Sequence, residues 1–164
     1  MREITLTLTG GATTIATLSD TATAEETRAA IQTALNEASA NATGGTVQLS
    51  AGVYIVTVGI DAGEGALRVG SNTTFEGAGM GQTTIQLAAN PGHDVTGVIR
   101  TDSGKTNPDG SVIATHDVVI RNLSIDANKD EVGNALVDGF FCGPKPFTAL
   151  SADNNIALEN VEVY

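Results

Sequence analysis

The chain has 164 residues, a length that suits one domain, with 41 % apolar side chains, 4 % aromatics and no Trp. Val, Ile, Leu, Thr and Gly must therefore build the core. A net charge of −11 argues against a nucleic-acid partner, which needs a basic face. The single Cys142 excludes an internal disulfide, and no run of about 18 apolar residues is present to span a membrane.

Ile4, Leu6 and Leu8 alternate, which predicts a first strand ended by Gly10 and Gly11. Thr23-Ala24-Glu25-Glu26 has the form of a capping box, predicting a helix from about Ala24 to Ala38. Its apolar stripe is Thr27, Ile31, Ala34, Leu35 and Ala38, and its expected role is to plug one end of a stack. Short strands follow at 46–50 (Val47 and Leu49 inward), 53–58 (Tyr54 and Val56 inward), 67–69, 73–76, 83–87 and 97–101. The Gly-, Asp-, Asn- and Pro-rich stretch 101–115 and the stretch from Asp126 to about Asn134 read as loops.

His116–Asp126 (HDVVIRNLSID) returns 38 residues later as Asn154–Tyr164 (NNIALENVEVY). Val118, Ile120, Leu123 and Ile125 recur as Ile156, Leu158, Val161 and Val163, and Asn122 as Asn160. A looser copy starts at Asn72, with Phe75 and Gly77 at equivalent positions. Each copy is two alternating strands joined by a bend at a residue type that tolerates a left-handed backbone. Such repeats signal a solenoid. The expected fold is all-β: a right-handed parallel β-helix with an N-terminal capping α-helix, open at its C-terminal end. A strand and capping helix fill 1–43, and the first coils fill 44–164. A sandwich would call for hairpin turns at about 8–12-residue spacing, and no Asn-Gly or Asp-Gly pair joins two alternating runs. The last strand pair would leave Ile156, Leu158, Val161 and Val163 uncovered, which predicts end-to-end self-association.

Gly77-Ala78-Gly79-Met80-Gly81 fails as a phosphate loop, because a β-type run follows it rather than a helix; it reads as a tight turn. Asp126-Ala127-Asn128-Lys129-Asp130 opens like a calcium loop, but Glu131 and Val137 occupy the required Gly and closing acid positions. That leaves Asp126, Asn128 and Asp130 as candidates for a looser calcium site, against a solvated acidic loop. His93 and His116 lack a third ligand at metal spacing, and Cys142 reads as a packing residue rather than a nucleophile. Five of the eight basic residues, Arg100, Lys105, Arg121, Lys129 and Lys145, fall in one stretch. Gathered on one side they would suit a polyanionic chain such as a uronic-acid polymer; scattered, they are ordinary surface charge.

The segments GGTVQLSAGVY (44–54), FEGAGMGQTTIQL (75–87), VTGVIRT (95–101), LSIDANKD (123–130) and VDGFF (137–141) occur in this order. Together they resemble the N-terminal part of the catalytic module of bacterial secreted, calcium-dependent mannuronan C-5-epimerases, within the pectate-lyase-like group of parallel β-helices. The resemblance implies an alginate-like uronan partner, calcium, and export through a C-terminal signal outside this chain, since no N-terminal signal peptide follows Met1. It also implies that Asp138 and Phe141 line a substrate groove, with Arg100 in a coil leading to it and Lys129 as a further contact. Leu136 stands where the family commonly has Lys, and the family's opening Asp-Phe-Gly-Ala stretch is absent. The family's catalytic Tyr, Asp, His and Arg are expected beyond residue 164, so no catalytic residue is assigned in this chain. Binding or structural β-helices, such as a phage tailspike or adhesin segment, and polysaccharide lyases of the same fold remain alternatives.

Overall fold

The computed structural model describes residues 1–59, 65–103, 114–143 and 153–164. Lys105, Lys145, the Asp109-Gly110 pair and most of the 101–115 loop lie outside them. Eleven strands and one helix are present among the described residues.

β1 (Arg2–Leu8) and β2 (Gly11–Leu18) form an antiparallel hairpin, and β1 also pairs antiparallel with β3 (Gly45–Leu49). This corrects the all-parallel expectation for the N-terminal region. Gly10 and Gly11 end β1 as the sequence predicts and turn the chain back into β2, with Gly11 at φ 124°. β2 alternates weakly, its outward Thr side chains masking a partner strand that only the hairpin supplies. The hairpin extends the same sheet as the coils, so the division at residue 43 marks a change of pairing sense within one core.

The helix α1 (Ala24–Ala40) starts as anticipated. The Thr23 side chain accepts from the Glu26 amide at 3.2 Å, and the Thr23 amide donates to the Glu26 carboxylate at 2.8 Å. Thr27, Ile31, Ala34, Leu35 and Ala38 are all buried. The helix packs on β1, β3, β4 (Gly52–Val56) and β5 (Leu67–Val69).

From β3 onward the pairing is parallel and repetitive. β3 pairs with β6 (Thr73–Glu76), and β6 pairs with the first half of β9 (His116–Asp126). β4 pairs with β7 (Thr83–Leu87), and β7 pairs with the second half of β9. β11 (Asn154–Val163) then lies along the whole of β9, with Ile156 opposite Val118 and Val163 opposite Ile125. β5, β8 (Ile99–Thr101) and β10 (Phe140–Phe141) stack as a third parallel column. Three successive turns of the chain thus contribute a strand to each of three columns, and β11 extends the first two.

The inward positions form continuous stacks. Val47, Phe75 and Ile120 are each 0 % exposed, and the next member, Leu158, is 44 % exposed. Tyr54, Ile85 and Ile125 repeat the pattern, ending at Val163, 51 % exposed. At about 25 cal/mol per Å2, the inner members are the main stabilising term and the outermost rung gains much less.

Corners occur where the sequence pattern places them, for two different reasons. Asn122 and Asn160 are left-handed, at φ 56° and 52°. Gly77 has no such φ; a Cβ there would lie 2.6 Å from the Asn122 carbonyl oxygen, so Gly is needed for close approach. A second left-handed column, Gly44, Asn72, Asp117 and Asn155, precedes each run and escaped the sequence reading. Residues 77–83 form the anticipated tight turn, with the Gln82 and Thr83 amides both donating to Gly79 O.

Candidate functional site in the third column

The outward side of the β5–β8–β10 sheet aligns Arg68, Arg100 and Phe141 through the strand register. Neighbouring strands lie about 4.8 Å apart, so these side chains climb the face one per rung. The Arg100 guanidinium stands over the Phe141 ring at 5.7 Å from its centroid, a cation–π contact. Arg100 is 4 % exposed. Its Nε donates to Thr101 O at 3.2 Å, and its Nη2 donates to Ser103 O and Gly143 O, both at 3.3 Å. The guanidinium therefore ties the ends of β8 and β10 together and holds the ring, rather than facing solvent.

Asp138 is exposed at the entry to the same rung. Its amide donates to Val95 O and its carbonyl accepts from the Val98 amide at 2.8 Å. Val95 bridges Val137 in parallel, and the Leu136 amide is held by Asp94 Oδ1 at 2.9 Å. Gly139 follows because Val163 of the next coil fills the space a Cβ would need, 2.2 Å from its Cγ1. Gly97 is left-handed, and a Cβ there would meet Phe141 Cβ at 3.0 Å. Two glycines thus let the Asp138–Phe141 segment lie tightly on the coil.

Of the sequence candidates, Arg100 and Phe141 meet on this face, and Asp138 is an exposed residue three positions before Phe141. Lys129 is exposed in the loop that follows β9. That loop is fastened to the end of β7: Asn128 Nδ2 donates to Leu87 O, and the Asn90 amide donates to Glu131 O. Arg121, also in the basic stretch, lies in another column and pairs with Glu76 at 2.7 Å. The Asp126 carboxylate receives Gln86 Nε2 at 2.6 Å and the Asn128 amide at 2.7 Å, and Asp130 is exposed. Among the described residues no group of three or more His, Cys, Asp or Glu side chains is placed to hold a metal ion. The Asn128 amide on Asp126 Oδ1 and the Glu131 amide on Asn128 O make this segment a hydrogen-bonded turn.

A hub that the sequence did not reveal lies beside Phe141. Asp153 Oδ2 accepts from Thr101 Oγ1 at 3.0 Å and Ser103 Oγ at 2.6 Å, and its Oδ1 accepts from the Thr115 amide at 2.9 Å. The Cys142 sulfur lies 3.7 Å from Asp153 Oδ2. Burial pushes the Cys142 thiol pKa up and the Asp153 charge adds to this, so the sulfur is a poor nucleophile. These contacts span 11 to 52 residues and leave no local pattern.

A sequence model of the family described as rhamnogalacturonase A/epimerase, pectate lyase-like, matches residues 19–163. Alginate lyase 7 of Azotobacter vinelandii is 41 % identical over 134 residues, 82 % of this chain and 14 % of the relative. Mannuronan C5-epimerase AlgE3 of the same organism is 39 % identical over 140 residues, 85 % of this chain and 7 % of the relative. The solved A-module of the Azotobacter vinelandii mannuronan C-5 epimerase AlgE6 superposes with a TM-score of 0.69 at 36 % identity, covering 83 % of this chain and 33 % of that module. The chain thus spans a small part of the curated relatives and about a third of the solved module.

Proposed function

This chain belongs to the rhamnogalacturonase A/epimerase, pectate lyase-like family, and from that premise we propose that it forms the cap and first coils of a mannuronan C-5-epimerase-like, alginate-modifying enzyme. In this reading the coils are those of a right-handed parallel β-helix, the usual hand of a parallel crossover. The third column is the near end of the polymer groove. The observation that carries the proposal is the Arg100–Phe141 stack, with an exposed Asp138 three residues before Phe141, built from the segments that resemble the epimerases.

In the proposed reaction, H5 of a mannuronate unit is removed on one face and a proton returns on the other. The developing negative charge on the carboxylate needs preorganised donors, and proton transfer needs a positioned acid and base. The Tyr, Asp, His and Arg that the resemblance implies for this work are expected beyond residue 164. Asp138 accepts hydrogen bonds from sugar hydroxyls, and Phe141 lies against an apolar sugar face. Arg100 acts through Phe141 as a positioning residue. In this reading the residues named here supply sugar contacts rather than the acid and base. An extracellular location belongs to the same proposal.

The 41 % identity to an alginate lyase favours one second reading. If the C4–O bond breaks after H5 removal, the product is an unsaturated uronate and the parent enzyme is a lyase; one scaffold supports either outcome.

The test is calorimetric titration of the chain with oligomannuronates, with proton NMR of the sugar in D2O. Expected are measurable binding, weaker in Asp138→Ala and Phe141→Ala, and no H5 exchange. Absence of binding would refute the groove, and turnover would refute the assignment of the catalytic groups beyond residue 164.

A further inference from the structure

We propose that Asp153 is a positioning residue of the sugar groove, setting the Phe141 platform through Thr101 and Gly143; this rests on the groove reading above. Asp153 is half-buried and stands immediately before β11. Its Oδ1 accepts from the Thr115 amide at 2.9 Å, at the entry to β9 in the preceding coil. Its Oδ2 turns sideways to the end of β8, where it accepts from Ser103 Oγ at 2.6 Å and Thr101 Oγ at 3.0 Å. Thr101, Ser103 and Thr115 are all buried. Their donors offset the cost of withdrawing a carboxylate from water.

The carboxylate also decides which way the Thr101 hydroxyl points. An ionised carboxylate accepts and never donates, and a backbone amide donates and never accepts. The Gly143 amide reaches Thr101 Oγ at 3.1 Å, so that oxygen is the acceptor there. The Thr101 proton is then shared between Asp153 Oδ2 and Ser103 Oγ, the latter at 2.6 Å. Asp153 thus holds the hydroxyl in the one polarity that receives Gly143.

Gly143 carries that constraint to the ring. Its φ is 133°, a region open to glycine, so the bonds to its amide and carbonyl set the chain direction there. Gly143 O and Ser103 O both accept from Arg100 Nη2 at 3.3 Å, and the guanidinium stands over Phe141. The two carbonyls that orient Arg100 therefore belong to residues tied to Asp153 directly or through Thr101.

A role confined to fastening the outer coil would not require this sideways reach. β11 already pairs with β9 from Asn154 to Val163. The Oδ2 bonds go instead to the column that carries Phe141. Asp153 touches no sugar in the groove reading; it acts by fixing the ring against which a sugar face lies, and a site of this kind tolerates about 0.5 Å of misplacement.

The experiment titrates oligomannuronates into the 164-residue chain as wild type, Asp153→Asn, Thr101→Val and Thr101→Ser. Urea midpoints and the NMR resonances of a 13C-labelled Phe141 ring accompany each titration. Thr101→Val, which lacks the hydroxyl, should weaken binding about tenfold and move the ring resonances. Thr101→Ser keeps the hydroxyl and loses a buried methyl, so its urea midpoint should fall while its affinity returns close to wild type. Asp153→Asn offers one acceptor oxygen where two are used, and should weaken binding and move the same resonances; the Thr101 pair keeps the test open if it fails to fold. Affinity that merely follows the urea midpoint, or ring resonances that stay put, would make Asp153 a structural fastener and overturn the proposal. Wild-type affinity in Asp153→Asn and Thr101→Val, with Phe141→Ala still weakened, would overturn it and leave the groove standing. If no oligomer binds the wild-type chain, the groove reading fails, and the ring resonances of the unliganded variants still decide whether Asp153 sets Phe141.

Discussion

Asn160 lies directly over Asn122 in the next coil, its Nδ2 donating to Asn122 Oδ1 at 3.0 Å across 38 residues of chain. Both are left-handed, so one residue type serves the corner twice: it tolerates the backbone and it bonds to its own copy. Asn155 and Asp117 are bonded in the same way in the second left-handed column. Asn122→Ala should cost about 1–3 kcal/mol, from the strained φ and the lost bond. Asn122→Gly, which relieves the strain alone, should cost less. Urea midpoints at constant m-value check the order; equal losses would remove the backbone term.

Gly139 is fixed by its neighbour across the coil rather than by its own φ. Gly139→Ala should destabilise by about 1–3 kcal/mol, because its methyl meets Val163. Adding Val163→Ala should recover part of the loss. A double-mutant cycle measures this, and strict additivity would show that the contact is not the cause.

The capping box makes helix stability depend on acid. The Thr23 backbone amide, then its hydroxyl, hold the Glu26 carboxyl below its ordinary value of 4.5. A lowered folded pKa stabilises the native state above the unfolded value, and the benefit is lost as pH falls through the folded pKa. Glu26→Gln should therefore differ from wild type at neutral pH and converge with it as pH drops below 4.5. Thr23→Ala should cost about 1 kcal/mol at neutral pH. Thermal melts followed by circular dichroism give both, and a wild-type-to-Gln gap unchanged in acid would contradict the linkage.

Leu158, Val163 and Tyr164 are 44 %, 51 % and 54 % exposed on the outermost coil, and among the described residues β11 pairs only with β9. A strand edge beside half-wet apolar side chains invites pairing with another copy. Size-exclusion with light scattering should show a concentration-dependent dimer, weakened by Leu158→Lys. A monomer at all concentrations would count against this surface.

Where the sequence was informative, the signal was periodic and local. The α1 stripe, the capping box and the 38-residue register of β9 with β11 each follow from spacing that one element imposes on itself. Where it was silent, the cause was a distant partner. The β2 strand is specified by β1 across the Gly10 turn, and its outward Thr residues carry no inward alternation. The Asp153 bonds to Thr101, Ser103 and Thr115 and the Gln32 bonds to β5 join residues 36 to 52 apart. Resemblance drew attention to Arg100 but not to its orientation, which the surrounding carbonyls set.

The central claim is that the sugar-acid groove lies on the β5–β8–β10 face. Amide shift mapping of the 15N-labelled chain during an oligomannuronate titration tests it most directly. The account predicts shifts that cluster at Arg68, Arg100, Asp138 and Phe141. Shifts centred instead on Gln48, Glu76 and Arg121, on the β3–β6–β9 face, would contradict it.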